Sequence, residues 1–400
     1  MERTYVKTIK LGILVSLASV ASFAAAQAAS AQSAPVTVDC NNGQSLNVAL
    51  STLNKKISNT VSVNGTCTEY VQVIGFDNLV LKALPGATLL QPPTGAGNLF
   101  NALLLIESSR SVTVQGFTIQ ADTATVPAVG IGHGSSDIRL RNLTVVGGTE
   151  GILVFENSQV SVAYLMGQDS GYTPLGIYDS SDVHLERSLL QNTTGALWHA
   201  GIDLGASHVT IYGTTISNMQ VGMNAANGSI IDVQTYDTYY AFGGPTDVTI
   251  ESPAGTNYDG VNVDSGSSLN ILGAKLVINR PGQTFGGTTA GLLISDGSNL
   301  NAANGNLSIT GSHGQGIMVL NNSHATVGVV TVSGGSHGGL VAANSSSIDV
   351  SGASGLSTVG GNSVDLFCDP ASWITGSANI SGVPTTQCTN LLATETVALP

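Results

Sequence analysis

The chain has 400 residues, of which 42% are hydrophobic and only 9% are charged, and its formal net charge is -13. This balance excludes a disordered acidic tail and a coiled coil, because both need many more charged residues. The 25 Asp and Glu against 12 Lys and Arg also argue against a nucleic-acid partner, since neutralising phosphates requires clustered basic residues. The 49 glycines show no collagen-like period, so they predict a folded protein rich in strands and turns.

The N-terminus has the pattern of a secretory signal peptide. Basic residues precede an almost wholly apolar run over residues 11–26, and Ala29-Ser30-Ala31 fits an A-x-A cleavage site. A membrane anchor is the alternative, but the run of about 16 residues is shorter than the roughly 20 that a spanning helix needs. We therefore expect residues 1–31 to be a signal peptide. The mature protein should be secreted to the extracellular space, or to the periplasm of a Gram-negative bacterium.

The four cysteines form two terminal pairs, which agrees with export. One pair is Cys40 and Cys67, and the other is Cys368 and Cys388. We predict a disulfide within each pair, because a long molecule would hold its ends further apart than the about 7 Å that a disulfide allows. Zinc binding is the alternative, but no short C-x2-C or H-x3-H spacing accompanies these cysteines, so no metal site is expected.

One sequence pattern recurs between residues 100 and 350, at intervals of roughly 20 to 40 residues. Each unit has a glycine, a short alternating apolar strand, a turn rich in Asn, Asp, Ser and Gly, and two further apolar segments. The unit glycines are Gly130, Gly151, Gly176, Gly201, Gly222, Gly260, Gly291, Gly316 and Gly339. Three short strands per unit predict an all-β fold, a right-handed parallel β-helix solenoid of about twelve coils.

The predicted organisation has four parts. A signal peptide over residues 1–31 is followed by an N-terminal cap over 32–70, the β-helix over 71–390 and a C-terminal tail over 391–400. Apolar residues at helical spacing between Ser45 and Ile57, with Ser45 as N-cap, predict an amphipathic helix that covers the first coil. A solenoid needs such a cap, because its terminal coil would otherwise expose the core.

The coils, the N-terminal helix and the cysteine-closed ends resemble the pectin-lyase-like superfamily of secreted right-handed parallel β-helix proteins. The resemblance covers nearly all of residues 36–390 and concerns architecture. It implies a fold and an association with extracellular polysaccharide, but no particular reaction. The superfamily includes pectate lyases, polygalacturonases and other polysaccharide-active enzymes, and also adhesins without catalytic activity.

Two short motifs resemble those of polygalacturonases, namely Gly132-His133-Gly134 and Asn257-Tyr258-Asp259-Gly260. In that family the Asp motif precedes the His motif, with a paired Asp-Asp between them and an Arg-Ile-Lys after them. None of this holds here. Inverting hydrolysis needs carboxylates roughly 6.5 to 9.5 Å apart, and these two motifs belong to distant coils. We reject this mechanism, and also that of pectate lyases, because the first strands have almost no Lys or Arg to act as base.

Outward-facing residues of the first strands suggest a site. Because side chains alternate along a strand, the residue two after each unit glycine should point outward, and the residue between them should point into the core. The outward residues in stacking order are Gly132, Leu153, Tyr178, Asp203, Asn224, Asn262, Leu293, Met318 and Val341. Only the stretch from Tyr178 to Asn262 is polar. We expect the side chains of Ile177, Ile202 and Val261 to point into the core.

Aromatic residues gather in the turns before these polar positions. They include Tyr172, Trp198, Tyr236, Tyr239, Tyr240, Phe242 and Tyr258. Since aromatic faces stack on sugar rings and Asp and Asn bond hydroxyls, we expect a polysaccharide groove along residues 176–260. The predicted ligand-binding residues are Tyr178, Trp198, Asn224, Tyr258, Asp259 and Asn262. The alternative is that the tyrosines simply pack over the solenoid.

Asp203 and His199 form the candidate catalytic acid/base pair. Whether the protein is an enzyme stays open. If it is, the expected class is polysaccharide lyase or glycoside hydrolase. The leading hypothesis is a secreted β-helix monomer that engages extracellular polysaccharide without a cofactor. The alternatives are catalysis at the same groove and a passive structural or adhesive rod.

The turns after the first strands contain recurrent asparagines. Asn157, Asn227, Asn322 and Asn344 occur there at nearly equal offsets. We predict that their side-chain amides stack as a ladder that satisfies backbone groups of the turns.

Overall fold

The computed structural model describes residues 33–93, 102–194, 200–235, 247–251, 259–279, 289–312, 314–335, 337–351, 357–376 and 378–380. The predicted signal peptide and C-terminal tail lie outside these residues, as do Trp198, His199, Tyr258 and Cys388.

Within the described residues the chain forms a 3-10 turn, Cys40–Asn42, a helix, α1 Leu46–Thr52, and many short strands. The strands of the N-terminal half are β1 Val36–Asp39, β2 Asn59–Asn64, β3 Thr66–Thr68, β4 Val71–Ile74, β5 Leu79–Ala83, β6 Thr88–Leu90, β7 Leu104–Glu107, β8 Val112–Gln115, β9 Thr118–Ala121, β10 Val129–Gly132, β11 Ile138–Arg141, β12 Thr144–Gly147, β13 Glu150–Val154, β14 Gln159–Ala163, β15 Met166–Gln168, β16 Thr173–Tyr178, β17 Asp182–Glu186 and β18 Leu189–Gln191. Those of the C-terminal half are β19 Ala200–Gly205, β20 His208–Tyr212, β21 Thr215–Ser217, β22 Val221–Ala226, β23 Ile230–Gln234, β24 Val248–Glu251, β25 Val261–Val263, β26 Ser268–Leu272, β27 Lys275–Asn279, β28 Ala290–Ile294, β29 Asn299–Thr310, β30 Gln315–Leu320, β31 His324–Ser333, β32 Gly338–Ala343, β33 Ser347–Val350, β34 Thr358–Gly360, β35 Val364–Cys368, β36 Trp373–Gly376 and β37 Asn379–Ile380.

The strands form two parallel sheets of 12 and 25 strands. The 12-stranded sheet, called the first sheet below, consists of β4, β7, β10, β13, β16, β19, β22, β25, β28, β30, β32 and β35. The other sheet contains the second and third strands of each coil, and the long strands β29 and β31 run through both of these rows. Because each strand pairs with its equivalent in the next coil, the predicted all-β parallel β-helix is confirmed.

The core consists of apolar side chains that stack from coil to coil. The predicted core residues Ile177, Ile202 and Val261 are all fully buried, which confirms their inward direction. Ile202 and Val261 belong to one inward column, with Met223 between them, whereas Ile177 stacks on Leu204. Burial of such columns in every coil removes apolar surface from water and supplies the main stabilisation of the solenoid.

Most of the unit glycines lie at a corner of the coil, where the first sheet meets the third strands. A Cβ atom at Gly222 would lie 2.5 Å from Ile250 Cγ2 and 2.6 Å from the carbonyl oxygen of Gly260. A Cβ atom at Gly201 would lie even closer to Ile216 Cγ2, and one at Gly260 would lie 2.6 Å from Ile278 Cγ2. The glycine period in the sequence therefore marks a corner with little room for a side chain, called the crowded corner below.

The register differs from the sequence prediction in one coil of the candidate site. On β16, Gly176 pairs with Asp203 of β19, and Tyr178 pairs with Gly205. The prediction that placed Tyr178 in the column of Asp203 is therefore wrong by two residues. The reason is that Pro174, not Gly176, occupies the crowded inward corner of this coil. Gly176 points outward and serves a different purpose, described below.

The same two-residue error in register occurs two coils earlier, on β10. Gly130 pairs with Leu153 on the outer face, and Gly132 pairs with Glu107. The observed outward column is Leu105, Gly130, Leu153, Gly176, Asp203, Asn224, Asn262, Leu293, Met318 and Val341. Seven of the nine predicted members of this column are thus confirmed, and Gly132 and Tyr178 are not.

A ladder of buried serines, called the serine ladder below, connects the turns between first and second strands. Its members are Ser109, Ser135, Ser158, Ser181, Ser207, Ser229, Ser267, Ser298, Ser323, Ser346 and Ser372. In most rungs the backbone N–H of one serine donates to Oγ of the serine in the next coil, over 3.1 to 3.3 Å. The ladder is interrupted at Ser158, whose Oγ has no hydrogen-bond partner within the described chain. Each rung satisfies a buried backbone donor that the strands leave unpaired.

The predicted asparagine ladder is replaced by this serine ladder. Asn157, Asn227, Asn322 and Asn344 have φ values between 56° and 60°, a left-handed conformation that asparagine tolerates better than most residues. Asn344 Nδ2 does donate to Asn321 Oδ1 over 2.9 Å, but Asn321 was not in the predicted set. The asparagines therefore recur mainly because the turn needs their backbone conformation.

The N-terminal helix caps the solenoid as predicted but is shorter. Ser45 Oγ accepts from the backbone N–H of Val48, and the Glu69 carboxylate accepts from that of Leu46 over 2.6 Å. The helix ends at Thr52 instead of reaching Ile57. No helix in the described part of the chain has the length and hydropathy to span a membrane.

The predicted N-terminal disulfide is present. Cys40 and Cys67 are bonded across 27 residues and tie the 3-10 turn beside the cap to β3. Cys368 is buried at the end of β35, and its predicted partner Cys388 lies outside the described residues, so the second pairing stays a prediction.

Candidate functional site

The first sheet carries a chain of polar side chains on its outer face. Asp203, Asn224 and Asn262 lie opposite one another on β19, β22 and β25, as the sequence predicts. Tyr178 of β16 extends this row toward the N-terminus. These four residues are called the polar strip below.

Hydrogen bonds run along the whole polar strip. The Tyr178 hydroxyl donates to Asp203 Oδ2 over 2.6 Å, and Asn224 Nδ2 donates to Asp203 Oδ1 over 2.7 Å. Asn262 Nδ2 then donates to Asn224 Oδ1 over 2.8 Å and to Asp264 Oδ2 over 3.2 Å. Because three of these four bonds cross from one coil to the next, the strip is held rigid by its own contacts.

Two outward glycines explain how Tyr178 reaches Asp203 in spite of the register difference. A Cβ atom at Gly176 would lie 2.9 Å from Tyr178 Cε2, and one at Gly205 would lie 3.0 Å from Tyr178 Cδ1. The ring therefore lies close against the sheet over these two positions. Its hydroxyl is brought into the Asp203 column by the length of the side chain.

Tyr172, in the turn before β16, places an exposed ring beside the strip. Its side chain is 50% exposed. The Asp203 charge, together with partial burial and a hydrogen bond to Asp203, raises the pKa of the Tyr172 hydroxyl. Burial and the hydrogen bond to Asp203 raise the pKa of Tyr178 as well. Both phenols thus remain protonated donors at neutral pH, and Tyr172 combines an accessible aromatic surface with a contact to Asp203.

The end of the strip near β25 has more acceptors than donors. Asn262 Oδ1 and Asp264 Oδ1 are buried and have no hydrogen-bond partner among the described residues. Asp264 lies just after β25, two residues beyond Asn262, and would have been found from the same alternation that selects Asn262.

Asp259, a predicted ligand-binding residue, has a structural contact. Its Oδ1 accepts from the backbone N–H of Ala290 over 2.6 Å, which connects the turn before β25 to β28 of the next coil. Its role in ligand binding stays a prediction. Trp198, His199 and Tyr258 lie outside the described residues, so the proposed Asp203–His199 pair and the aromatic walls stay predictions too.

The Asp203 carboxylate is 7% exposed and has a donor on each oxygen. A general acid or base must reach the reacting proton directly or through one water molecule. In this geometry Asp203 fixes the directions of Tyr178 and Asn224, so the strip fits hydrogen bonding to a ligand better than proton transfer.

His133 contacts two carboxylates, Glu107 and Glu156, on the coils before and after its own. Its turn follows β10, whereas Asp259 precedes β25, five strands further along the first sheet. At about 4.8 Å per strand, these residues are about 24 Å apart. This separation agrees with the rejection of a polygalacturonase mechanism.

Potential metal ligands converge at one place in the described chain, at Cys40, Cys67 and Glu69. Both cysteines are joined in a disulfide, and Glu69 binds the N-terminus of α1. Neither sulfur can therefore supply the thiolate that a zinc site needs.

No protein-family model matches the sequence, and a search of curated proteins found no match. Among solved structures, the chain is similar to the Streptococcus pneumoniae surface protein and adhesin PfbA, with 12% identity and a TM-score of 0.28. The alignment covers 80% of this chain and 91% of that chain.

Proposed function

We propose that this protein is a secreted β-helix that binds an extracellular polysaccharide at the polar strip of its first sheet, without cleaving it. The observation that carries the proposal is the half-exposed Tyr172 ring beside a rigid row of amide and carboxylate groups. A sugar presents an apolar ring face and several hydroxyls, which match an aromatic surface and such acceptors.

Export and fold support the same proposal. The N-terminal sequence has the pattern of a signal peptide, and the Cys40–Cys67 disulfide suits an oxidising compartment. The resemblance to the pectin-lyase-like superfamily associates this architecture with extracellular polysaccharide. Trp198 and Tyr258, which precede β19 and β25 in the sequence, are proposed as the walls of the groove.

A glycan array on the full-length exported protein tests the proposal, with Tyr172→Ala as the diagnostic variant. We expect Tyr172→Ala to weaken binding about tenfold, because it removes an accessible aromatic contact. Tyr164→Ala is the matched control. Tyr164 is similarly exposed, at 48%, but lies after β14, away from the first sheet.

Trp198→Ala should weaken binding in the same way if Trp198 is a wall of the groove. Absence of any ligand, or equal loss from Tyr172→Ala and Tyr164→Ala, would reject the binding site. The passive rod would then be the better account. One observation favours that second candidate, namely that hydrogen bonds within the polar strip already satisfy most of its groups.

Catalysis is tested separately with a polysaccharide panel, by following unsaturated-product absorbance and new reducing ends. We expect neither signal. If turnover is found, Asp203→Asn should abolish it while sparing binding, because the amide keeps the shape but cannot exchange the proton.

A further inference from the structure

We infer that the polysaccharide bound at the polar strip is electrically neutral and that uronate polymers are excluded from this site. This inference rests on the proposed function, since it specifies the ligand of the same site. It departs from what the resemblance to pectin-active proteins would suggest, and it is carried by the distribution of charge and of hydrogen-bond acceptors.

The charged residues on the strands of the first sheet are all acidic. Its strands contain Glu107, Glu150, Asp203 and Asp365, and no strand of this sheet contains a Lys or Arg in the described chain. Tyr172 and Tyr178 respond to this environment, because the negative charges of Asp203 and Glu150 both favour the neutral phenol. A sugar carboxylate placed on Tyr172 would therefore meet like charges and no compensating cation from the described strands of this sheet.

The hydrogen-bonding character of the strip points the same way. The acceptors nearest to Tyr172 are the two Asp203 oxygens, each of which receives one hydrogen bond within the strip, whereas Asn262 Oδ1 and Asp264 Oδ1 are buried. A carboxylate can accept more hydrogen bonds than these two, so Asp203 favours a ligand group that donates. A sugar hydroxyl donates, whereas an ionised uronate carboxylate is an acceptor only. The strip thus selects hydroxyl-rich, uncharged rings.

Two basic residues whose placement is described lie on another face of the solenoid. Arg139 and Arg141 are exposed on β11, in the 25-stranded sheet, and Arg139 forms an ion pair with Asp137 over 2.8 Å. A polyanion attracted to the protein would meet these side chains and not the polar strip. They therefore provide a control for binding elsewhere on the surface.

The test is biolayer interferometry on the full-length exported protein with three soluble probes: a neutral β-glucan, polygalacturonate and a chitosan oligosaccharide. Each probe is measured at low and high salt. We expect binding of the neutral glucan to be nearly independent of salt, because no net charge is neutralised, and to fall about tenfold in Tyr172→Ala. We expect no binding of polygalacturonate to the strip, with or without calcium.

Two outcomes separate this inference from the proposed function. If polygalacturonate or chitosan binds better than the neutral glucan, and the binding is lost in Tyr172→Ala, the site exists but the neutral-ligand inference is overturned. If none of the three probes binds and the glycan array is empty, the proposed function itself fails.

The double variant Arg139→Gln/Arg141→Gln is the matched control. Polygalacturonate binding that disappears in this variant, while glucan binding is unchanged, comes from the basic face and supports the inference. Polygalacturonate binding that survives in the double variant and disappears in Tyr172→Ala overturns it. Melting curves of all variants ensure that lost binding is not lost folding.

Discussion

The Tyr178 hydroxyl donates a hydrogen bond of 2.6 Å to Asp203 Oδ2, although Tyr178 lies opposite Gly205 in the sheet register. The contact is diagonal, and it depends on the absence of side chains at Gly176 and Gly205 beneath the ring. Since Asp203 raises the pKa of Tyr172 as well as that of Tyr178, the ionisation of both tyrosines depends on this carboxylate.

Alkaline titration should reveal this connection. Since the folded-state pKa of Tyr178 and Tyr172 is raised above the ordinary value of about 10, their contribution to stability is fully present below about pH 10 and is lost as the pH rises further. Asp203→Asn removes the charge that opposes phenolate formation, so both tyrosines should titrate at lower pH. Phenolate absorbance across the alkaline range measures this. Superimposable titration curves for parent and variant would contradict the assignment.

The serine ladder predicts a measurable loss of stability at a single rung. Ser229 Oγ accepts from the backbone N–H of Ser207 over 3.2 Å and donates to the Ala226 carbonyl. Ser229→Ala leaves a buried N–H without an acceptor, which should destabilise the protein by about 1–3 kcal/mol. Denaturant unfolding gives the value. Ser308→Ala, an outward position on β29, is the control and should change stability by less than about 0.5 kcal/mol.

At the crowded corner of the solenoid, an added side-chain atom should destabilise the protein. Gly222→Ala would place its Cβ 2.5 Å from Ile250 Cγ2 and 2.6 Å from a backbone oxygen. We expect a loss of about 1–3 kcal/mol from overpacking, seen as a lower melting temperature. Thr215→Ala, which faces outward on the adjacent β21, should have little effect. An unchanged melting temperature for Gly222→Ala would mean that the corner is looser than these distances indicate.

The covalent frame gives a further prediction. Removing the Cys40–Cys67 bond with Cys40→Ser/Cys67→Ser should destabilise the protein by about 3 kcal/mol, because the bond closes a loop of 27 residues. Thermal melting of parent and double variant measures the difference. Peptide mapping without reduction should also yield a Cys368–Cys388 peptide. A linkage between Cys40 and Cys388 would contradict both predicted pairings.

The fold was predictable because its signals are local and repeated. Alternating apolar residues identify each strand, and the crowded corner enforces a glycine in most coils, as at Gly201, Gly222 and Gly260. The positions of Asp203, Asn224 and Asn262 followed from counting two residues beyond these glycines. Nothing more than side-chain alternation is needed for that step.

The errors arose where one residue type serves two purposes. Gly176 looks like a corner glycine in the sequence, but it lies on the outer face beneath Tyr178, while Pro174 occupies the corner. Likewise, the asparagines recur in the turns because of their left-handed φ, whereas the serines that follow them form the hydrogen bonds between coils. Neither distinction is visible without the register, because it depends on residues one full coil away.

The serine ladder allows the solenoid to be lengthened or shortened by whole units. Each rung serves only the neighbouring coil, so a complete unit, with its own serine and corner glycine, contains everything needed to join the units on either side. Gain or loss of a whole unit within the solenoid would keep the interior hydrogen bonds intact. Gain or loss of units would therefore change the distance between the polar strip and either end of the solenoid in steps of about 4.8 Å.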